Sequence, residues 1–180
     1  STTIYLDDMS FRNTIRNNHI EAKRQEDGLK REVLAIDGSR ENVIVDNLFS
    51  SLDDGGISLY HNCKEGNSPR FGSPTDNVII NNVFRYSKAD GDTPPSILVG
   101  QRHCSPDFAF LAQRNAVMQN QIVKLPVNTM IRVGHPENGP NFIDHNETVT
   151  AEIGRAVGCF VNNGYPNFIL HGQFTNAFHD

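Results

Sequence analysis

An eight-residue phrase that opens on Asn and alternates aliphatic with polar positions occurs six times: NTIRNNHI from Asn13, NVIVDNLF from Asn42, NVIINNVF from Asn77, NAVMQNQI from Asn115, NFIDHNET from Asn141 and NFILHGQF from Asn167. The third place is always aliphatic (Ile15, Ile44, Ile79, Val117, Ile143, Ile169), and Asn fills the sixth in every copy but the last, where Gly172 stands. A shorter apolar run precedes each phrase: Thr3-Ile4-Tyr5-Leu6, Val33-Leu34-Ala35-Ile36, Ile57-Ser58-Leu59-Tyr60, Ser96-Ile97-Leu98-Val99, Met130-Ile131-Arg132-Val133 and Gly158-Cys159-Phe160-Val161, the last with Cys159 in the core. Runs of this length, rich in β-branched and aromatic residues and edged by Gly, Asp or Pro, read as short strands rather than helical turns. Each repeat is therefore expected to be strand, turn, strand, turn, with the phrase as the second strand.

No segment carries the long 3.6-residue period and the caps of a crossover helix, which removes a doubly wound α/β sheet. Antiparallel hairpins would supply two strands per unit but give no reason for Asn to recur at one place. Parallel coiling does: each repeat lies on the one before at about 4.8 Å, and equivalent positions stack into ladders. Asn suits a ladder because its amide both donates and accepts. The third-place column and the eighth-place column (Ile20, Phe49, Phe84, Ile122, Phe174) are expected to point inward, with Thr148 departing from the second. The fold expected is an all-β parallel β-helix, a solenoid of about six coils. Insertions in such a coil leave the columns intact, so the two longest turns, 61–76 and 100–114, should stand as neighbours on one edge.

Composition adjusts this picture in three ways. A hydrophobic fraction of 37% is low for a two-layer domain of 180 residues but adequate for a solenoid with one thin core. The net charge of −5, with no Lys/Arg cluster free of carboxylates, argues against nucleic acid and leaves a neutral polymer as the better partner. No long apolar run offers a membrane anchor. Of the three cysteines, Cys63 and Cys104 fall in adjacent long turns and could form a disulfide.

The runs Ile4-Tyr5-Leu6-Asp7-Asp8 and Gly56-Ile57-Ser58-Leu59-Tyr60, with the N-x-I-x-x-N-x-F phrases, resemble the right-handed parallel β-helix family of pectate-lyase-like proteins across nearly the whole chain. The resemblance implies a right-handed coil. It also implies a polysaccharide partner, since the family comprises polysaccharide lyases, glycoside hydrolases, uronate epimerases, phage tailspikes and adhesins. A secreted or cell-surface location follows from such a partner. Family members usually close the first coil with a cap, whereas here a strand begins by Thr3. Residues 1–180 are therefore expected to be a single β-helix domain that is a fragment, or part of an assembly in which a partner chain or oligomer covers the open coil ends.

Candidate chemistry gathers after the first strands. Asp7 and Asp8 follow the first, and Asp37 the second; stacked one coil apart, Asp7 and Asp37 would stand about 5 Å from each other, the separation of a retaining glycosidase pair. His61 opens the equivalent turn of the third repeat, Arg102 and His103 lie in the fourth and His135 in the fifth. Asp7, Asp37 and His61 are the expected catalytic groups of a glycoside hydrolase or polysaccharide lyase, with Asp8, Arg102, His103, His135 and Tyr86 contacting substrate. The alternative is a non-catalytic carbohydrate-binding or structural module in which the same residues are turn formers. A second group joins Asp53 and Asp54 to Arg85, Tyr86, Lys88, Asp90 and Asp92, again with ordinary turn chemistry as its competitor. Calcium could sit at either carboxylate cluster, though neither has a loop-type spacing, and no paired Cys/His motif suggests zinc. Trp is absent, so Tyr5, Tyr60, Tyr86 and Tyr165 are the rings available to stack on sugars. Lys23-Arg24 and Lys30-Arg31, interleaved with Glu26, Asp27 and Glu32, read as a solvated loop. Asn146-Glu147-Thr148 matches a glycosylation acceptor, but its Asn belongs to the ladder and should be buried.

Overall fold

The computed structural model describes residues 2–8, 10–22, 31–52, 55–62, 64–65, 68–69, 72–87, 94–102, 112–123, 131–133, 140–149, 156–157 and 168–170. Its strands follow the chain coil by coil. The first coil has β1 (Ile4–Leu6), β2 (Thr14–Arg16) and β3 (His19–Glu21), and the second has β4 (Leu34–Asp37), β5 (Val43–Val45) and β6 (Leu48–Ser50). The third has β7 (Ile57–His61), a small antiparallel hairpin β8 (Lys64–Glu65) and β9 (Ser68–Pro69), then β10 (Val78–Ile80) and β11 (Val83–Arg85). The fourth has β12 (Ile97–Arg102), β13 (Ala116–Met118) and β14 (Gln121–Val123), and the fifth has β15 (Ile131–Val133), β16 (Phe142–Asp144) and β17 (Glu147–Val149). β18 (Ala156–Val157) pairs antiparallel with β17, and β19 (Phe168–Leu170) continues the column of β16.

Strands of successive coils pair in parallel, giving three sheets: β1-β4-β7-β12-β15, β2-β5-β10-β13-β16-β19 and β3-β6-β11-β14-β17. The chain is thus an all-β parallel β-helix. Among the described residues five coils run through all three sheets, and the sixth phrase contributes the one strand β19.

One expectation needs correction. The phrase is two strands, not one, so each coil has three sides. Its fifth residue (Asn17, Asp46, Asn81, Gln119, His145) takes the left-handed conformation, with φ between 51° and 56°, and turns the chain between the two strands. A second corner precedes the phrase at Arg12, Glu41, Asp76 and Arg114, with φ between 54° and 59°. Asn, Asp and His tolerate this conformation better than other side chains do, and a regular strand cannot pass through it. At the second corner the outward charges pair between coils: Arg12 Nε lies 2.6 Å from Glu41, and Arg114 forms two hydrogen bonds to Asp76 at 2.8 and 2.6 Å. The Arg114 guanidinium holds the Asp76 carboxyl below its ordinary range.

The columns stack as the phrase requires. Ile15, Ile44, Ile79, Val117, Ile143 and Ile169 are in register, as are Ile20, Phe49, Phe84, Ile122 and Thr148. Thr148 keeps its place in the column and is buried. From the first coil to the fourth, the Asn at the first and sixth places gives its backbone N–H and its side-chain amide to the Oδ1 of the equivalent Asn one coil on, with side-chain distances of 2.8–3.2 Å. Both ladders are buried from the second coil to the fifth, Asn146 included.

Candidate functional site

The site is built on the outer face of the first sheet. Leu34 and Ile36 enter the core, so strand alternation turns Ala35 and Asp37 outward. Register then sets Tyr5 and Ser58 on either side of Ala35, and Tyr60 beside Asp37. Ala35 and Ser58 are buried although they face out, with Tyr5 in register beside Ala35 and Tyr60 two residues after Ser58 on the same strand. The Tyr5 hydroxyl reaches forward to donate to Asp37 Oδ2, and the Tyr60 hydroxyl reaches back to donate to Glu32 Oε1 at 3.2 Å. Small residues at these two places let the rings lie along the sheet. Thr2 also donates to Glu32 Oε1, at 3.3 Å, and the Asn62 N–H donates to Asp37 Oδ1 at 2.7 Å. Asp37 is completely buried, whereas Tyr5 keeps 44% of its surface open to solvent.

Asp7 and Asp8 edge this face at the end of β1, and both are half-buried. Asp7 shapes its own turn: its carboxylate accepts the Asp8 N–H at 2.8 Å, and its carbonyl accepts the N–H and hydroxyl of Ser10 at 2.7 and 2.9 Å. The Asp8 carboxylate lies against the backbone of Gly38 and Gly72, so close that a Cβ on Gly72 would come within 1.6 Å of Asp8 Oδ1. Gly72 is therefore the residue that lets this carboxylate lodge between two coils.

Of the expected catalytic groups, Asp37 stands at the centre of the face and Asp7 at its edge. His61 is buried, and alternation along β7 turns it to the opposite side of the sheet from Tyr60. Arg102 ends β12 in register with His61. Tyr86 belongs to a different corner: its ring is buried in the core cluster, and its hydroxyl bonds Ser96 Oγ at 3.0 Å and the Pro94 carbonyl at 3.1 Å. His103, His135, Lys88, Asp90, Asp92, Asp53, Asp54, Tyr165 and all three cysteines lie outside the described residues. Among the described residues no three His, Cys, Asp or Glu side chains converge as a metal site would need.

Sequence reasoning missed Glu32, which is part of the site and not of a solvated loop. The cause is a break in strand phase. Val33 and Leu34 both turn inward, and both of their N–H groups bond the Gly56 carbonyl, at 2.9 and 3.1 Å, which leaves Glu32 on the outer side. The available signal was the pair of small outward residues, Ala35 and Ser58, in neighbouring repeats beside Tyr5 and Tyr60.

Burial pushes the Tyr60 hydroxyl far above its ordinary pKa of 10.0, helped by the charge of Glu32 and then by Tyr5 and Asp37. The folded value thus exceeds the unfolded one, so protonated Tyr60 contributes its full stability below pH 10.0 and loses it progressively as pH rises beyond, where only the unfolded chain ionises. The denaturation midpoint should fall with pH above 10.0 more steeply in the wild type than in Tyr60→Phe. Equal slopes for the two proteins in an alkaline denaturation series would contradict this.

No family model, no curated protein and no solved structure matches the chain.

Proposed function

We propose that the chain is a carbohydrate-binding β-helix module of the pectate-lyase-like kind, which holds a neutral extracellular polysaccharide against the outer face of its first sheet. The observation that carries this is Tyr5: an exposed ring whose hydroxyl is pinned by the buried Asp37 carboxylate. A ring fixed in this way offers an aromatic face to a sugar at little cost in side-chain freedom. Around it Asp7, Asp8 and Glu32 are half-buried carboxylates, which accept hydrogen bonds from sugar hydroxyls and repel uronates. A polymer of this kind lies outside cells, hence a secreted or cell-surface setting.

The complete burial of Asp37, with one oxygen taking the Tyr5 hydroxyl and the other the Asn62 N–H, supports binding over hydrolysis. A catalytic carboxylate has to reach the scissile bond. In this reading Asp37 is a positioning residue for Tyr5.

Affinity electrophoresis in neutral and acidic polysaccharides, run beside assays for reducing ends and unsaturated uronates, tests the proposal. The wild type should be retarded by a neutral polysaccharide, and Tyr5→Ala should bind at least about tenfold more weakly. Equal retardation of Tyr5→Ala would remove Tyr5 from the contact. Cleavage products that vanish in Asp37→Asn would replace the binding module with a hydrolase or lyase.

A further inference from the structure

The phrase buries its third place, so strand alternation turns its second and fourth places outward on the second sheet. In the second, third and fourth coils both outward places are apolar: Val43 and Val45, Val78 and Ile80, Ala116 and Met118. These side chains are half-buried, each with part of its surface open to solvent, and register lines them up in two columns. The columns continue into Thr14 and Arg16 in the first coil and into Phe142 and Asp144 in the fifth. One column therefore runs from a guanidinium through three apolar side chains to a carboxylate.

The corners that edge this face repeat the inversion of charge. The corner leading into the sheet carries Glu41 in the second coil and Arg114 in the fourth, with Asp76 between them already held by Arg114. The corner leaving the sheet carries Asp46 in the second coil and Gln119 in the fourth.

We infer that the outer face of the second sheet is the interface of a two-fold dimer of this chain, in which the copies pack face to face with their coil axes antiparallel. The occupant is a second copy because the pattern is complementary to itself about the third coil. A two-fold axis along β10 sets Ile80 on Ile80, and lays Val45 on Met118 and Val43 on Ala116. The same axis brings Arg16 over Asp144 and Glu41 over Arg114. Copies packed with parallel axes would instead set Glu41 against Asp46, two carboxylates, which like-charge repulsion opposes. Five coils span about 19 Å and a strand with its two corners about 20 Å, a footprint of roughly 400 Å², about half of what each partner buries in a stable complex. The dimer is accordingly weak and reversible.

Sedimentation velocity of the full chain, at concentrations up to about 0.5 mM, tests this. The wild type should pass from monomer to dimer and stop there. Ile80→Lys sets two ammonium groups on the two-fold axis and should weaken the dimer at least about tenfold, whereas Val83→Lys, on the outer face of the third sheet, should leave it unchanged. Glu41→Arg brings guanidiniums together twice in the antiparallel dimer and should weaken it about tenfold, and adding Arg114→Glu should recover most of the affinity. Because Glu41 stands at a surface corner, this pair reads the interface even where a lysine at the sheet centre disturbs the fold. A chain that stays monomeric throughout, assembly beyond the dimer, a folded Ile80→Lys with wild-type affinity, or a tighter dimer of Glu41→Arg would overturn the inference.

Discussion

Asn82→Ala is expected to destabilise the chain by about 3–5 kcal/mol, as measured by chemical denaturation. Asn82 is fully buried in the middle of the sixth-place ladder. Its Oδ1 accepts the backbone N–H and the side-chain amide of Asn47, both at 3.0 Å. Its own amide donates to the carbonyls of Ile44 and Ile80 and to Asn120 Oδ1, at 2.9–3.0 Å. Alanine removes all of these at once at a position without exposed surface, and each buried group left without a partner costs about 1–3 kcal/mol. The same substitution at Asn18, exposed at the coil edge, should cost less than about 1 kcal/mol because solvent takes over. Equal losses at the two positions would show that the ladder does not hold the coils together.

Phe84→Ala should cost about 3–5 kcal/mol through the cavity it opens. Phe84 has no exposed surface and stacks on Phe49 one coil away, with ring centroids 4.9 Å apart and planes 6° from parallel. Ile122 closes the other side in register. The ring also lies over Gly56, where an added Cβ would stand 3.0 Å from Phe84 and 2.2 Å from the Ser96 carbonyl. Leucine refills most of the space and should lose only about 1.5 kcal/mol. A loss below about 1 kcal/mol for Phe84→Ala, by denaturant midpoint, would mean that the coils close over the gap.

The inward columns and both Asn ladders were legible in the sequence because parallel stacking repeats one chemical demand at one place, coil after coil. The corner inside the phrase was hidden. The left-handed place is filled by Asn17, Asp46, Asn81, Gln119 and His145, no single residue type, and Gln119 lacks the tolerance for positive φ that Asn, Asp and His have. Asp37 could be found because it directly follows an apolar run. Its burial and its bond to Tyr5 could not, since both depend on which way a tyrosine from another coil leans. Glu32 was hidden by the consecutive inward turns of Val33 and Leu34, which break the two-residue period.

The most direct measurement of the central claim is NMR chemical-shift mapping of the isotope-labelled chain, titrated with a neutral oligosaccharide cut from the polysaccharide that retards it. The account predicts shifts on the outer face of the first sheet, at Tyr5, Asp8, Glu32, Ala35 and Ser58, with the ring signals of Tyr5 moving most. Shifts confined to the second or third sheet, with Tyr5 unmoved, would contradict it.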